Sequence, residues 1–458
     1  MKSDISLEKI VSLAKRRGFV YPSSDIYGGM ANTWDFGHYG VLLKNNIRDL
    51  WWKTFVLDRD DMVGIEASIF LNPKVWKASG HTTSFTDALV DCRKCKFRTR
   101  ADHLIEDNIP NNKVEGLTLE ELTKIIIDNK LKFPKCGLSD FTSARNFNLL
   151  FETQVGIIEE TKSKVYLRGE IAQGIFINFK NVLNTMRVKV PFGIAQIGKA
   201  FRNEITMGQF IHRTLEFDLM EFEYFIQKSQ WEKIFEKFQT EMWDFAKMVG
   251  IDEKKLRWRE HEEHERSHYS KKTADIEYEY SFGWKEMFGI AYRTDFDLSN
   301  HAKHTGRDLS YTDPKTGEKF IPHVIEPTFG LSRLIGIILF DAYFEEEING
   351  QTRTVLKLAP SIAPVKAAIF PLQKDEKLQK IARELYEKLK KQYVVEFDDS
   401  DNIGKMYRRQ DEIGTPFCIT ADYQTLEDNA ATVRERDTMK QERMPLEKIE
   451  TFLHDKII

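Results

Sequence analysis

The sequence predicts an α+β protein in which a sheet-rich N-terminal domain is followed by a smaller α/β domain. Residues 194–202 have the character of a strand entering a core, and residues 213–225 mostly alternate in polarity, so together they indicate a long hairpin. From residue 365 onward, short strand and helix patterns alternate over about 100 residues, which is typical of an α/β domain with a largely parallel sheet. A helix end followed by a Pro-rich stretch at 351–364 separates the two, so we predict domains at 1–350 and 351–458.

Composition places the chain among folded, water-soluble proteins. Apolar residues make up 41% and charged residues 30% of the 458 residues, which excludes a disordered chain. The 68 Lys and Arg nearly balance the 71 Asp and Glu, so any nucleic-acid partner has to be held by local patches. The first residues lack an apolar signal core, and no run of about 18 apolar residues occurs. We therefore expect a cytoplasmic protein that does not enter a membrane.

Apolar periodicity predicts the remaining elements. The predicted helices are 6–17, 41–55, one beginning near Glu170, 231–248, one opened by Gly330 and Arg333, 374–392, 403–412 and 446–453. The predicted strands are 147–153, 165–168, 275–280, 320–325, 365–370, 394–397, 417–420 and 432–436. The large apolar residues of the helix at 41–55 indicate either core or a subunit interface, and core is favoured.

An inserted unit is predicted at about 84–145. Cys92 and Cys95 form one Cys-x-x-Cys unit, but Phe133 stands where a second unit would place the partner of Cys136. A structural zinc site needs four thiolate or imidazole ligands, so zinc would require a fourth ligand such as His103. The alternative, which the missing cysteine favours, is a metal-free remnant of such a unit.

A second group of metal-ligand residue types is His261, His264 and His268. Their spacing departs from the His-Glu-x-x-His pattern, because the first interval is three residues. The surrounding Glu and Arg favour a solvated face over a metal site.

Charged residues gather at the bend of the predicted hairpin: Arg202, Glu204, His212, Arg213 and Glu216. An arginine fork there can hold a phosphate by paired charge-assisted hydrogen bonds, and Phe217 could stack on a nucleobase. Elsewhere, Glu170 and Gln173 share one face of a helix, and Arg333 lies at a helix N-terminus, an end that favours anions. The alternative is an ordinary long hairpin with a solvated tip.

Several long motifs resemble the class II aminoacyl-tRNA synthetases, and specifically the homodimeric bacterial-type glycyl-tRNA synthetases, over essentially the whole chain. Phe201-Arg202-Asn203-Glu204 resembles motif 2 of that class, Gly330-Leu331-Ser332-Arg333 motif 3, and Phe36-Gly37-His38-Tyr39-Gly40 motif 1. Stretches similar to the glycyl family include KRRGFVYPSSDIYGG, RADHLIE, GIAYRTDFDL, VIEPTFG and GKMYRRQDEIGTP. The resemblance implies a class II catalytic domain on an antiparallel sheet, with an inserted subdomain and a C-terminal anticodon-binding domain.

The resemblance also implies a reaction: glycine and ATP form glycyl-adenylate and pyrophosphate, and glycine then passes to the 3′ end of tRNA(Gly). The catalytic residues would be Arg202, Glu204 and Arg333. The ATP site would comprise Arg202, Asn203, Glu204, His212, Arg213, Thr214, Leu215, Glu216, Phe217, Glu286, Met287, Gly330, Leu331, Ser332 and Arg333. The glycine site would comprise Arg100, Glu170, Phe217, Asp218, Leu219, Met220, Glu221, Arg293, Glu326, Pro327, Thr328, Phe329 and Gly330.

In this scheme each end of the site has its own chemistry. Acidic groups would surround the glycine ammonium, Arg293 and Arg100 would hold its carboxylate, and Glu286 and Glu326 would be magnesium ligands. The family further implies a homodimer joined through the motif 1 helix.

Two other functions stay open. One is a non-catalytic binding or accessory protein on the class II synthetase scaffold, which would have little reason to keep the ATP residues. The other is a synthetase for another small amino acid, since Thr328 replaces the family's usual serine. His38, Gly169 and Leu215 also depart from the family pattern.

Overall fold

The structure is a computed structural model that describes residues 6–109, 114, 117–157, 163–204, 210–281 and 283–457. At its centre lies a seven-stranded sheet. In order across the sheet, the strands are Leu256–Glu260, Lys272–Tyr280, Gly283–Thr294, His323–Gly330, Glu216–Ile226, Phe192–Phe201 and Met62–Gly64. Neighbours are antiparallel, except that Met62–Gly64 runs parallel to Phe192–Phe201. This architecture confirms the predicted α+β class built on an antiparallel sheet.

The predicted hairpin provides two of the sheet's strands. Phe192–Phe201 and Glu216–Ile226 stay in register from the Phe201–Glu216 pair to the Phe192–Phe225 pair. Because side chains alternate across a strand, Leu219 and Glu221 face one side of the sheet while Met220 faces the hydrophobic core on the other. Residues 205–209 of the predicted bend lie outside the described residues.

Three helices share the core on one face of the central sheet: His38–Trp52, Trp231–Met248 and Leu331–Ala342. The first continues as a π-helical turn, Lys53–Leu57. Trp51 and Phe55 pack against Phe222 and Phe329, with ring centroids 5.1 to 6.2 Å apart. Leu43, Ile47, Trp51 and Phe55 of the predicted helix at 41–55 are therefore core residues, as favoured, whereas Val41 is exposed.

The other face of the sheet is partly covered by the helix Ala172–Met186. Phe179 of this helix packs on Phe225, with ring centroids 4.6 Å apart. The helix begins two residues after Glu170, which places that carboxylate at the margin between the covered and the open part of the face.

The inserted unit has its own small sheet and core. Its antiparallel strands are Arg98–Arg100, Thr86–Asp91 and Arg145–Asn148, and its helices are Ala101–Asn108 and Leu119–Asp128. The prediction of one strand at 147–153 was wrong. Asn148 Oδ1 accepts a hydrogen bond from the Leu150 amide at 2.8 Å, so the chain turns there and begins a new strand at Glu152–Val155.

The end of the chain carries a five-stranded sheet in the order Val395–Phe397, Ala367–Pro371, Phe417–Ala421, Ala430–Glu435 and Gln441–Pro445. The first three strands are parallel, as predicted, whereas the last two, of which Gln441–Pro445 had not been predicted, are antiparallel, so the sheet is mixed. The short turn between the last two strands forces the antiparallel pairing. The predicted helix end at 351 was also wrong, because Tyr343–Ile348 and Gln351–Leu356 form a hairpin there.

The remaining helices are Leu7–Arg16, Pro73–Ala78, His81–Ser84, Phe296–Thr305, Glu376–Leu389, Ile403–Ile413, Thr425–Asp428 and Ile449–Ile457. The remaining strand pairs are Val20–Pro22 with Trp34–Phe36, Glu152–Val155 with Ser163–Tyr166, and Tyr311–Thr312 with Lys319–Phe320. Pro322, which lacks an amide hydrogen, divides the predicted strand at 320–325. Among the described helices, none combines the length and apolar character needed to cross a bilayer.

Candidate active site

A cleft opens on the face of the central sheet that carries Leu219 and Glu221. It encloses about 1140 Å³, its open mouth included. Its lining comes from the hairpin, the strand Gly283–Thr294, the strand His323–Gly330 and the first turn of the helix after it. The lining residues are Glu170, Arg202, Glu204, Ile211, His212, Arg213, Thr214, Phe217, Asp218, Leu219, Glu221, Tyr269, Thr273, Glu286, Gly289, Ile290, Ala291, Glu326, Thr328, Gly330, Ser332 and Arg333.

Arg202 lies in this cleft between two aromatic rings. Its guanidinium carbon is 5.1 Å from the ring centroid of Phe85 and 5.4 Å from that of Phe217. Its Nε donates to the carbonyl oxygen of Gly169 at 3.1 Å. Across the part of the chain that the structure describes, no carboxylate pairs with Arg202, so its terminal nitrogens can donate to an anion.

A second arginine, Arg333, stands in the first turn of the helix Leu331–Ala342. Its Nη1 lies 2.6 Å from Glu286 Oε1. Enclosure in the cleft favours the neutral acid, but the charge of Arg333 outweighs it and keeps the pKa of Glu286 below its ordinary value. Burial, together with the charge of Arg333, lowers the pKa of the nearby His212 to about 3. A neutral imidazole and a helix N-terminus therefore accompany the two arginines.

Arg213 and Glu204 complete this end of the cleft. Arg213 Nη1 is 3.8 Å from Glu204 Oε2, and both atoms are buried without a hydrogen-bond partner among the described residues. A buried donor and acceptor left open in this way are costly unless a ligand fills them.

Acidic side chains dominate the other end of the cleft. Glu170 accepts a hydrogen bond from Gln173 Nε2 at 2.8 Å and lies 3.2 Å from His81 Nε2. Burial would raise the pKa of Glu170, but His81 and then Arg293 hold it below its ordinary value. The predicted pairing of Glu170 with Gln173 in one pocket is thus reflected in a direct hydrogen bond, although only Glu170 lines the cleft.

Arg293 lies beneath these acids and is fully buried. It donates to Asp297 at 2.8 and 2.9 Å and to Glu326 at 2.7 Å, and the ring of Tyr269 covers it at 3.7 Å. Its guanidinium is paired with acids and does not line the cleft, and its contact with a substrate carboxylate stays a prediction. Arg293 fixes the positions of the acids.

The carboxyl groups of Glu221 and Glu326, which line the cleft, and of Glu223, which does not, have oxygens within 4.8 Å of one another, and all three are buried. One oxygen of Glu221 and both of Glu223 have no hydrogen-bond partner among the described residues. Burial, with the neighbouring Glu326 adding to it, raises the pKa of both groups well above the ordinary value. A cation bound here would favour the charged forms of these acids and would fill their open acceptors.

The two predicted magnesium ligands differ in their surroundings. Glu286 lies beside Arg333 and is 49% exposed in its side chain, so an oxygen remains open to a hard cation on the arginine side of the cleft. Glu326 belongs to the acidic cluster and accepts from Arg293. The donor set therefore fits magnesium at Glu286, while the assignment of Glu326 as a second ligand stays a prediction.

Several predicted contact residues do not reach the cleft. Met220, Met287, Phe329 and Leu331 are fully buried in the core. Met220 and Phe329 alternate along their strands with lining residues, so their side chains point to the opposite face of the sheet. Asn203, Leu215, Glu216 and Pro327 are not lining residues either. Arg100 is also outside the lining, since it pairs with Asp87 at 3.0 Å and with Asp102 at 2.5 Å.

Other contributors had not been expected. Tyr269, Thr273, Gly289, Ile290, Ala291 and Ile211 line the cleft, and His81 supports it from behind. Alternation within the strand Gly283–Thr294 could have suggested Gly289 and Ala291. No sequence signal marks Tyr269 or His81, because both come from short segments that long-range packing brings to the site.

The histidine-rich segment forms no metal site among the described residues. His261 Nε2 lies 2.6 Å from Asp275 Oδ2, and His268 Nε2 lies 3.1 Å from the Ser79 carbonyl oxygen. Of the three, His264 faces solvent beside Glu262. The segment is therefore only partly a solvated face.

Comparison with known proteins identifies the family. Residues 366–456 match the family described as an anticodon binding domain. The chain is 51% identical to the glycine–tRNA ligase of Caldanaerobacter subterraneus subsp. tengcongensis over 100% of both chains. It is 50% identical to that of Clostridium acetobutylicum over 100% of both, and 49% identical to that of Bacillus cereus over 99% of both.

The chain belongs to the glycine–tRNA ligase family. Its fold is also similar to the crystal structure of prolyl-tRNA synthetase from Cryptosporidium parvum complexed with halofuginone and AMPPNP. The TM-score is 0.64 at 14% identity, over 99% of this chain and 79% of that one. At that identity the likeness shows the fold alone, which is the class II synthetase fold. The full-length similarity to glycine–tRNA ligases confirms the family that the sequence motifs predicted.

Proposed function

We propose that this protein is an aminoacyl-tRNA ligase that joins glycine to tRNA(Gly) at the expense of ATP, which becomes AMP and pyrophosphate. The observation that carries the proposal is the polarity of one cleft. Arg202 and Arg333 offer donors to an anion in one part, and Glu170, Glu221 and Glu326 offer acceptors to a cation in another. Full-length relatives at about half identity bear the name of this activity.

In the first step, a carboxylate oxygen of glycine attacks the α-phosphorus of ATP, and the bond to pyrophosphate breaks. The arginine end suits this step, because catalysis of phosphoryl chemistry consists mainly of positioning and charge stabilisation. Arg202 donates to the α-phosphate, and Arg333 with Arg213 holds the terminal phosphates. Phe217 stacks on adenine, and Glu204 accepts from its amino group. When bound at Glu286, magnesium neutralises charge on the phosphates.

In the second step, a terminal hydroxyl of the tRNA attacks the carbonyl carbon of glycyl-adenylate, and AMP leaves. The nucleophiles of both steps come from the substrates, so the protein's groups orient and stabilise them. No residue of the chain needs to form a covalent bond in this scheme.

Selection of glycine rests on the acidic end. Glycine has no side chain to grip, so affinity has to come from its ammonium, and larger amino acids have to be excluded by shape. The Glu170, Glu221 and Glu326 carboxylates surround the ammonium, while Thr328 occupies the space next to the α-carbon. Arg293, paired with Asp297 and Glu326, keeps this arrangement rigid.

The remaining parts of the proposal concern partners. The domain at 351–458 binds the anticodon region of tRNA, and the catalytic domain at 1–350 forms a homodimer, as the family implies. The protein acts in the cytoplasm. On the tail, Arg434 and Arg436 are nearly fully buried, whereas Lys405 and Arg408 on the helix Ile403–Ile413 are among the exposed basic groups.

The first experiment is amino-acid-dependent ATP–pyrophosphate exchange with glycine, alanine and serine in turn. Exchange supported by glycine alone is expected. Exchange supported by alanine or serine but not by glycine would identify a synthetase for another small amino acid. Folded protein that supports no exchange with any of them would favour the binding or accessory function, against which the retained Arg202, Phe217 and Arg333 argue.

A second experiment separates the two domains' roles. Lys405→Glu with Arg408→Glu is expected to reduce charging of tRNA while leaving pyrophosphate exchange unchanged, since neither side chain lies near the cleft. Lys380→Glu is the matched control, because Lys380 is an exposed side chain on the helix Glu376–Leu389 of the same domain. Unchanged charging in the double variant would remove this helix from the proposed tRNA surface.

A further inference from the structure

Three of the four cysteines come together in the inserted unit. Cys92 directly follows the strand Thr86–Asp91, Cys95 follows a tight turn, and Cys136 comes from a second turn after the helix Leu119–Asp128. Their sulfur atoms lie within 4.8 Å of one another, and those of Cys92 and Cys136 are 3.6 Å apart. The remaining cysteine, Cys418, is buried in the C-terminal sheet.

The two turns that present these sulfurs have the same design. The Lys96 amide donates to the Cys92 carbonyl oxygen at 3.1 Å, and the Gly137 amide donates to the Phe133 carbonyl oxygen at 2.9 Å. Lys96 and Gly137 both take a left-handed conformation, with φ of 60° and 67°. The first turn therefore offers sulfurs at its first and fourth positions, whereas the second offers one at its fourth position only.

The spacing of the sulfurs suits a metal ion. Thiolates bound tetrahedrally to zinc at about 2.3 Å lie about 3.8 Å from one another, which is within the observed range. The Cys95 amide also donates to Cys92 Sγ at 3.3 Å.

The fourth ligand does not come from the two residues that the sequence suggested. Phe133 is buried and stacks on Phe141 with ring centroids 4.4 Å apart, so its ring holds the second turn in the core. His103 does not belong to the group of converging ligand atoms among the described residues. It lies beside Arg100 and Asp102, where burial and then Arg100 lower its pKa to about 4. Cys95 and Cys136 are only partly buried, so solvent has access to the cluster.

We propose that Cys92, Cys95 and Cys136 bind a zinc ion as three thiolates, with a solvent molecule as the fourth ligand. The thiols give up their protons to solvent when the metal binds. The ion then ties the two turns of the inserted unit together, and the stacking of Phe133 on Phe141 replaces the hold that a fourth cysteine would supply. This inference is independent of the proposed reaction, since it concerns metal binding outside the cleft.

The test uses the full-length chain without a metal-binding purification tag. Metal content is measured first, and cobalt(II) is then added to the metal-stripped protein to detect thiolate-to-cobalt absorption. About one zinc per chain and a clear thiolate–cobalt band are expected. Cys136→Ser is expected to weaken zinc binding at least about tenfold, and Cys418→Ala is the control that leaves it unchanged.

Phe133→Cys decides between a working site and a remnant. It restores the fourth thiolate, so zinc affinity is expected to rise by about tenfold or more over the natural chain. If the natural chain takes up neither zinc nor cobalt while Phe133→Cys takes up both, the three-thiolate site is refuted and the unit is a metal-free remnant. Because the natural chain and Phe133→Cys are both measured, a folding defect in Cys136→Ser does not affect the result.

Discussion

Replacement of Arg202 by alanine tests the anion-binding end of the cleft directly. The guanidinium is held between the rings of Phe85 and Phe217, and one bond to the Gly169 carbonyl oxygen fixes its Nε. Its terminal nitrogens are therefore preorganised to donate to a phosphate on which charge develops. Loss of one such donor costs about 2.7–4 kcal/mol of transition-state stabilisation, so the rate constant of adenylate formation is expected to fall about 10²- to 10³-fold.

Arg202→Lys separates charge from geometry. A lysine keeps the positive charge but loses the planar fork and its stacking between two rings. The expected loss corresponds to about one hydrogen bond to a charged group, about 1.5 kcal/mol, or about tenfold in rate. The graded order of alanine below lysine below arginine is the signature of the proposed role.

The assay is single-turnover adenylate formation at saturating glycine and ATP, with the melting temperature of each variant measured in parallel. Arg383→Ala is the matched control, since Arg383 also lies over an aromatic ring, Phe397 at 3.6 Å, but in the C-terminal domain. A near-normal rate in Arg202→Ala would refute the assignment. A higher KM for ATP with an unchanged rate constant would show that Arg202 binds the ground state as strongly as the transition state.

Three further predictions concern other parts of the molecule. Thr328→Ala should raise alanine-dependent pyrophosphate exchange about 10- to 200-fold relative to glycine-dependent exchange, because one lost methyl-sized obstacle is worth about 1–3 kcal/mol, whereas Thr328→Ser should have a smaller effect. Asp411→Ala should lower the free energy of unfolding in urea by about 3–5 kcal/mol, since the buried Arg353 and Arg434 both pair with Asp411. Asp455→Asn, at an exposed position, is the control, and equal stability of the two variants would contradict the prediction. The hydrogen bond to Asp275 raises the pKa of His261. Its contribution to the free energy of unfolding should therefore be fully present below about pH 6.5 and be lost as the pH rises through the raised pKa. His261→Gln should flatten this part of the pH–stability curve, measured by urea unfolding.

Local pattern was sufficient to predict the hairpin that carries the site. Because alternate side chains of a strand share one side, the predicted strand at 213–225 puts Phe217 and Leu219 together, and the structure shows both in the lining of the cleft. The helix Trp231–Met248 was predicted to the residue, because its apolar stripe is long and uninterrupted. Such elements are specified by residues that are near one another in the sequence.

The same alternation separates the predicted contact residues that line the cleft from those that do not. Contacts implied by the family cover continuous stretches such as 217–221 and 326–330, yet every second side chain of a strand points to the other face. Met220 and Phe329 consequently lie in the core. A prediction that applied the strand period to these stretches would have removed them.

The role of Arg293 could not be read from the sequence for a different reason. Its partners Asp297 and Glu326 lie on a helix and on a neighbouring strand, and the cover of Tyr269 comes from a loop. Only the folded arrangement shows that this guanidinium is already satisfied. A buried arginine in a site therefore needs its complete set of partners before it can be assigned to a substrate.

The acidic end of the cleft is explained better by function than by stability. The carboxyl groups of Glu170, Asp297 and Glu326 share one buried guanidinium, and Glu221 and Glu223 have oxygens without partners among the described residues. Burying like charges together is unfavourable, and apolar or amide side chains of similar volume would fold more stably. A bound ammonium would offset part of this cost, since it adds a positive charge and hydrogen-bond donors where acceptors are in excess. The acids at this end of the cleft therefore lower the stability of the fold, and the same acids bind the ammonium of an amino acid that has no side chain to bind.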